Sequence, residues 1–253
     1  MNQAEQLPSQ SIKLSSVSTL AGVLIATAIM GVSAISLVLL LSVNIANLNF
    51  FVLFIAILWQ TFLYTGLFIT AHDAMHGTVF PENTKINHLI GSMCAVLYGC
   101  LPYKALLRKH WMHHRYPASD LDPDFHDGKN KNFFAWYLHF MKGYATWSQM
   151  ILITIIYNSS HYILHIPRAN LNYFWAVPCI LSSLQLFYFG TFLPHREPQD
   201  GYSEPHRART ISYPIWWSFL TCYHFGYHYE HHEYPNVPWW QLPKVHRENV
   251  GSL

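Results

Sequence analysis

His110-Trp111-Met112-His113-His114-Arg115 is the stretch that decides how this chain is read. Its imidazoles stand at i, i+3 and i+4, and those positions share one face of an α-helix because about 3.6 residues complete a turn. A second copy lies far downstream, His228-Tyr229-Glu230-His231-His232, and a shorter i, i+4 pair lies upstream, His72-Asp73-Ala74-Met75-His76. A lone histidine would be a satisfied polar side chain at an interface. Three patches in so apolar a chain have a more economical explanation: they fold together around metal. Eight histidines are too many for one ion and suit two. Imidazole binds iron, zinc and copper, whereas a structural zinc site would take four ligands and usually include cysteine. Two iron ions ligated mostly by histidine would form an oxygen-activating centre.

Working outward, 51% of the 253 residues are hydrophobic and only 11% are charged, against about 25% charged in an ordinary soluble domain. The deficit is concentrated: no Lys, Arg, Asp or Glu lies between Leu14 and His72, between Gly143 and Pro167, or between Ala169 and His195. About 20 mostly apolar residues cross the ~30 Å hydrocarbon core of a bilayer. The expected fold is therefore an all-α integral membrane protein rather than a soluble helical one. Its four transmembrane helices, at 17–43, 50–70, 144–162 and 171–193, form two hairpins under a histidine-rich cytoplasmic cap made of 72–142 and 194–253. Residues 1–15 form a polar N-terminal segment, and 16–253 form a single domain. Residues 89–101 are too short to span and read as interfacial or re-entrant; if they crossed, the first two histidine patches would face opposite sides. Of fifteen basic residues only Arg168 falls on the far side, so the positive-inside rule puts the histidine face in the cytoplasm. No signal-peptide pattern is evident. Cys94, Cys100, Cys179 and Cys222 form no C-x-x-C pair and read as buried thiols. The net charge of +2 gives no reason to expect nucleic acid.

Other residues are weighed around this frame. His195 ends the last span and is a candidate ninth ligand; His224, four residues before His228, competes with it if the helix is continuous. His161 and His165 fall on the opposite side and are rejected. His88, His126, His139, His206 and His246 carry no assignment. Metal-bound imidazoles usually donate their other N–H to an acceptor, and Asp73, Asp120, Asp122, Asp124 and Glu230 lie close enough in sequence to serve. The bland alternative for the aspartate run is a solvated turn.

The three boxes resemble those of the membrane fatty-acid desaturase/hydroxylase superfamily. Narrower matches, His72 to Gly77, Phe189 to Arg196, Gly226 to Pro235, Asp120 to Phe125 and the tail through Trp239-Trp240-Gln241-Leu242-Pro243, are similar to bacterial-type β-carotene 4-ketolases, especially the cyanobacterial form. The resemblance covers about residues 50 to 245. It implies a di-iron centre held by His72, His76, His110, His113, His114, His228, His231 and His232, with O2 as co-substrate. It also implies a β-ionone ring presented to the iron from a carotenoid lying in the membrane. Trp111 departs from the pattern, since many members carry Arg there. No dinucleotide-binding glycine motif, haem segment or iron–sulfur segment is evident, so electrons must come from a partner, and the family points to reduced ferredoxin. Arg108, Lys109, Arg115, Arg207 and Arg209 could dock such an acidic carrier, or simply anchor the cytoplasmic side. Competing functions are a carotenoid 3-hydroxylase or a fatty-acyl desaturase or hydroxylase. A histidine-rich metal transporter or a haem-binding membrane protein would be of a different class; a transporter should carry ionisable groups inside its spans, and these spans have none. Aromatic residues, 16% of the chain, suit either the walls of a carotenoid tunnel or interfacial belts, and no individual wall residue is assigned.

Overall fold

A computed structural model describes residues 19–202 and 204–250; the polar segment expected at 1–15 and the first two residues of the first expected span lie outside the described residues. All regular structure there is helical. Helix α1 (Thr19–Ser42) and α2 (Phe50–Met75) form the first hairpin. Asn49, in the polar break between them, caps α2 by accepting a hydrogen bond from the Val52 N–H, which satisfies one of the donors a helix start leaves free. The first half of α2 exposes Phe50, Phe51, Phe54, Ile55 and Leu58, as α1 exposes Leu24, Ile35, Val38 and Leu39. In the second half nearly every residue from Gln60 to Met75 is buried. So α2 enters as a lipid-facing helix and ends as the centre of the bundle.

Helix α3 (Thr84–Gly99), capped by Asn83, and α4 (Tyr103–Arg115) follow. Cys100 adopts a left-handed conformation (φ 55°) between them, and Pro102 opens α4. The two helices are bent by 102°, and α4 brings its histidines towards the end of α2. Helix α5 (Phe133–Tyr144) and α6 (Trp147–Tyr162) come next, capped by Asn132 and Thr146. Helix α7 (Arg168–His195) completes the membrane part and is interrupted by π-helical turns at Asn172–Ala176 and Tyr188–Phe192. Short helices α8 (Ile215–Cys222), α9 (His228–Glu233) and α10 (Leu242–Val250) make up the rest of the cap.

Among the described residues three helices, α1, α2 and α7, are long and apolar enough to cross a membrane, and the bent α3–α4 pair would make a fourth by composition. Helix α6 takes the place of the third expected span with 16 residues, about 24 Å at 1.5 Å per residue, shorter than the hydrocarbon core. Helix α2 packs against α1, α3 and α7, which makes it the element that positions the site. All four cysteines are free, Cys94 and Cys222 buried and the other two half-buried.

Candidate metal centre

The histidine boxes meet at one end of the bundle. His72 lies one turn before the end of α2 and His76 caps it. His110, His113 and His114 line one face of α4, His195 ends α7, and His228, His231 and His232 lie on α9. Two fours result: His72, His76, His110 and His231, then His113, His195, His228 and His232. In each, one ligand atom per residue lies within 4.8 Å of the others. In the second four, His228 Nε2 is 2.9 Å from His195 Nε2 and 3.1 Å from His232 Nε2, which is 3.1 Å from His113 Nε2. In the first, His76 Nε2 approaches His110 Nε2 to 2.5 Å. His114 joins the two: its Nε2 is 3.0 Å from His231 Nε2, and its ring stacks on His232 at 4.3 Å.

This arrangement fits cations. A neutral imidazole carries one N–H, so four nitrogens converging on one point cannot all satisfy one another. His72, buried, has no hydrogen-bond partner at either ring nitrogen, a costly state for polar atoms shut away from water. Two imidazole donors at right angles around an ion, each at a bond length of about 2.1 Å, lie about 3.0 Å apart, which is the spacing seen in the second four. Donors that are all imidazole suit first-row transition metals rather than magnesium or calcium.

Electrostatics agree. Burial, followed by the neighbouring imidazoles, pushes His110, His228, His231 and His232 well below the usual histidine range. They stay neutral, the form that binds metal. His113 is the exception: burial lowers it, but the charge and hydrogen bond of Asp122, helped by Asp124, outweigh burial and lift it to about 9.

The expected acceptors divide sharply. Both oxygens of Asp122 lie 3.0 Å from His113 Nδ1, and the carboxylate also accepts the Ala118 and Asp124 N–H groups. It fixes the ring so that Nε2 points into the second four. His195 Nδ1 is held by the Arg207 carbonyl at 3.0 Å, a backbone contact that no side-chain pattern announces. Asp73 accepts the Trp239 N–H at 3.0 Å and approaches His72 Nδ1 only to 3.5 Å, so it ties the C-terminal segment to α2. Glu230 accepts from His246 Nδ1 at 2.5 Å and from Thr210, not from a box histidine; His246, unassigned from sequence, is its partner. Asp124 accepts the Tyr144 hydroxyl and stands 3.9 Å from His113 Nδ1. Asp120 is exposed and touches none of the nine histidines.

His224 does not join the cluster. Tyr223 and His224 both have positive φ (47° and 63°), which breaks the continuous helix that would have aligned His224 with His228. Its Nδ1 lies 3.2 Å from Ser218 Oγ instead. His161 pairs with the Ile166 carbonyl at the far end of α6.

A cavity opens onto the clusters. His72, His110, His113 and His228 form its floor, and Phe68, Met75, Leu101, Leu106, Met141 and Leu186 much of its wall. Phe225 stands between the two fours, 4.8 Å from the His72 ring and 5.3 Å from the His228 ring. It packs against Gly190 in the second π turn, where a Cβ would come within 2.2 Å of the ring.

Two adjacent imidazole clusters at one end of a bundle with membrane-length helices, beneath a largely apolar cavity, define the class: a helical membrane protein with a candidate metal centre. The fatty acid desaturase model matches residues 44–169 and 149–252, and the chain belongs to that family. Within it the chain is similar to a β-carotene ketolase of Paracoccus sp. strain PC1, 43% identical over 74% of this chain and 76% of that one. It is also similar to a zeaxanthin 4-ketolase of Chlamydomonas reinhardtii, 43% identical over 76% of this chain but only 43% of that one. A putative sphingolipid delta(4)-desaturase/C4-monooxygenase of Caenorhabditis elegans is 27% identical over 70% of this chain and 53% of that one.

Proposed function

We propose that this chain is a carotenoid ketolase that oxidises C4 of the β-ionone rings of β-carotene, giving 4-keto products of the echinenone and canthaxanthin type. The observation that carries the reading is the pair of buried histidine fours at the floor of an apolar cavity, in a chain whose ketolase relatives are 43–44% identical over roughly three quarters of it. His72, His76, His110, His113, His114, His195, His228, His231 and His232 would hold two iron ions. Bound iron supplies the activation of O2 and the oxidation of a C–H bond. The chain supplies the rest. The apolar walls bind the ring and exclude water, and Asp122 and the Arg207 carbonyl keep His113 and His195 oriented. The C4 methylene is allylic to the polyene, so its C–H bonds are the weakened ones. Two successive hydroxylations at C4 give a geminal diol, which loses water to leave the ketone.

Each round takes up two electrons from outside the chain, and reduced ferredoxin is the proposed donor. The bias of basic residues towards the histidine end supports a cytoplasmic orientation for that end, in a bacterial inner membrane or thylakoid. The test is expression in a host that accumulates β-carotene, followed by analysis of the extracted pigments. Red-shifted 4-keto products that vanish in His113→Ala support the reading; unchanged pigment from folded, iron-loaded protein supplied with ferredoxin sinks it.

A further inference from the structure

Helix α4 has two faces with separate uses. His110, His113 and His114 turn inward to the clusters. The outward row, Lys104, Arg108, Trp111, Met112 and Arg115, follows helix-face spacing, and all five side chains are exposed. Among the described residues its three cations have no ion-pair or hydrogen-bond partner, and α4 contains no Asp or Glu. The other basic residues weighed as docking groups are committed elsewhere: Lys109 to the Gly143 carbonyl and the Tyr144 ring, Arg207 to Glu204, and Arg209 to the Leu193 carbonyl. In the middle of the row Trp111 and Met112 are 47% and 44% exposed. Trp, Met and Arg together are the composition of a protein interface rather than of a solvated helix face. Rows suited to lipid look different in this chain. Helix α1, the first half of α2, and α8 with Ile215, Trp216, Trp217 and Leu220 expose apolar side chains and carry no Lys or Arg.

What lies behind Trp111 says what the row is for. Its ring stands 5.2 Å from the His76 ring and 5.8 Å from the His114 ring. His76 belongs to the first four, and His114 reaches His231 of that four and His232 of the second. Two other rings outside the box set touch the clusters, and neither offers the same approach. Phe225 is buried. His206, 5.8 Å from the His232 ring, is half-buried and bonded to Glu233, whose carboxylate would repel an acidic visitor. Trp111 is thus the one exposed aromatic ring, among the described residues, in contact with box histidines. A surface that attracts negative charge, with a ring joining it to the clusters, fits a protein that delivers electrons. Opposite charge speeds and orients the encounter, and electron transfer falls off so steeply with distance that the donor must come as near as the surface allows.

We propose that Lys104, Arg108, Trp111, Met112 and Arg115 form the docking surface for an acidic one-electron carrier protein, with Trp111 at the point of closest approach to the metal. The proposal rests on the ketolase reading, which takes two electrons from outside in each round. Each docking oxidises one carrier by one electron and reduces the bound metal by one, so two dockings supply a round. The test measures binding without turnover. The iron-loaded full chain is placed in phosphatidylcholine nanodiscs, which keep covered any face that lies in the headgroups, and oxidised plant-type [2Fe–2S] ferredoxin is the probe. Arg108→Glu combined with Arg115→Glu should weaken binding about tenfold or more at low ionic strength. That difference should shrink to about twofold near 1 M salt, where the screening length is about 3 Å. Trp111→Ala should weaken binding about tenfold as well, because a central Trp anchors an interface, and high salt should leave that loss in place. Lys129→Glu combined with Lys244→Glu, exposed cations elsewhere on the cap, should change affinity less than about twofold. Parental affinity in the α4 charge variant, an equal loss in the Lys129 and Lys244 control, or no binding by the parent overturns the proposal. Ketone formation from β-carotene by the parent with dithionite in place of the carrier shows that the ketolase reading stands in that event, and its absence with either reductant sinks that reading instead.

Discussion

Replacing Gly190 by alanine sets helix propensity against packing, and the two predict opposite signs. Alanine in a helix is worth about 1 kcal/mol over glycine, so at an open site the change would stabilise. Here the added Cβ would stand 2.2 Å from Phe225 Cε1 and 2.5 Å from Cδ1. Carbon atoms pack at about 3.5 Å or more, so the ring must retreat by about 1.3 Å. It has little room to do so, because Phe225 is buried and sits against the His72 and His228 rings. Overpacking of this kind costs about 1–3 kcal/mol, enough to cancel the propensity gain or exceed it. The functional loss is larger. Phe225 is also a cavity wall, and a misplacement near 1 Å at a reacting centre can cost about a hundredfold in rate. Gly190→Ala should therefore lose most ketone formation in the pigment assay, with a thermal midpoint unchanged or lower. Adding Phe225→Leu should restore a large part of the activity by giving the methyl group space. An alanine variant with parental activity, or a double variant no better than the single, would refute the reasoning.

His195→Ala should lower bound metal and abolish turnover, whereas His224→Ala should keep its metal, because His224 is bonded to Ser218 and lies outside both fours; metal analysis of purified protein reads both. Asp122→Asn should weaken metal binding about 10- to 100-fold, since the amide cannot hold the His113 ring as the carboxylate does; a competitive chelator titration measures this. Glu230→Gln should destabilise the cap by about 1–3 kcal/mol through its bonds to His246 and Thr210, seen as a lower melting midpoint. Stripping metal with a chelator should lower the midpoint too, because an ion that binds only the folded state stabilises it by mass action, and restoring iron(II) should reverse the loss.

The helical membrane class was legible because a charge-free tract of helical length has few other uses, and the box histidines because their spacing is a helix-face spacing. Helix α2 carries on beyond the apolar tract to Met75, as the i, i+4 pair His72 and His76 implies, and its last turns are buried in protein rather than in lipid. His195 and His224 could not be separated from sequence, since the choice turns on two left-handed residues before α9, and neither Tyr223 nor His224 is a glycine that would announce one. The aspartates looked alike in sequence, yet only Asp122 grips a box histidine at hydrogen-bond distance. Phe225, Gly190 and the Asp124–Tyr144 pair owe their positions to contacts between segments distant in the chain, which no local pattern encodes.

Charge balance explains why so weakly charged a chain buries carboxylates here. Imidazoles bind metal as neutral ligands, so two divalent ions held by histidine alone would bring four positive charges into a region shielded from water. Isolated buried charge is among the costliest states a protein can hold. Asp73, Asp122 and Glu230 are buried and Asp124 is partly so. All four sit beside a box histidine, either in sequence or in space. Each is fixed by donors other than the metal site: Asp73 by the Trp239 N–H, Asp122 by the Ala118 and Asp124 N–H groups, Asp124 by Tyr144, and Glu230 by Thr210 and His246. The same carboxylates thus brace the joints that bring α2, α4, α9 and the C-terminal segment together, and would place negative charge around bound ions while leaving the ligand positions to the histidines.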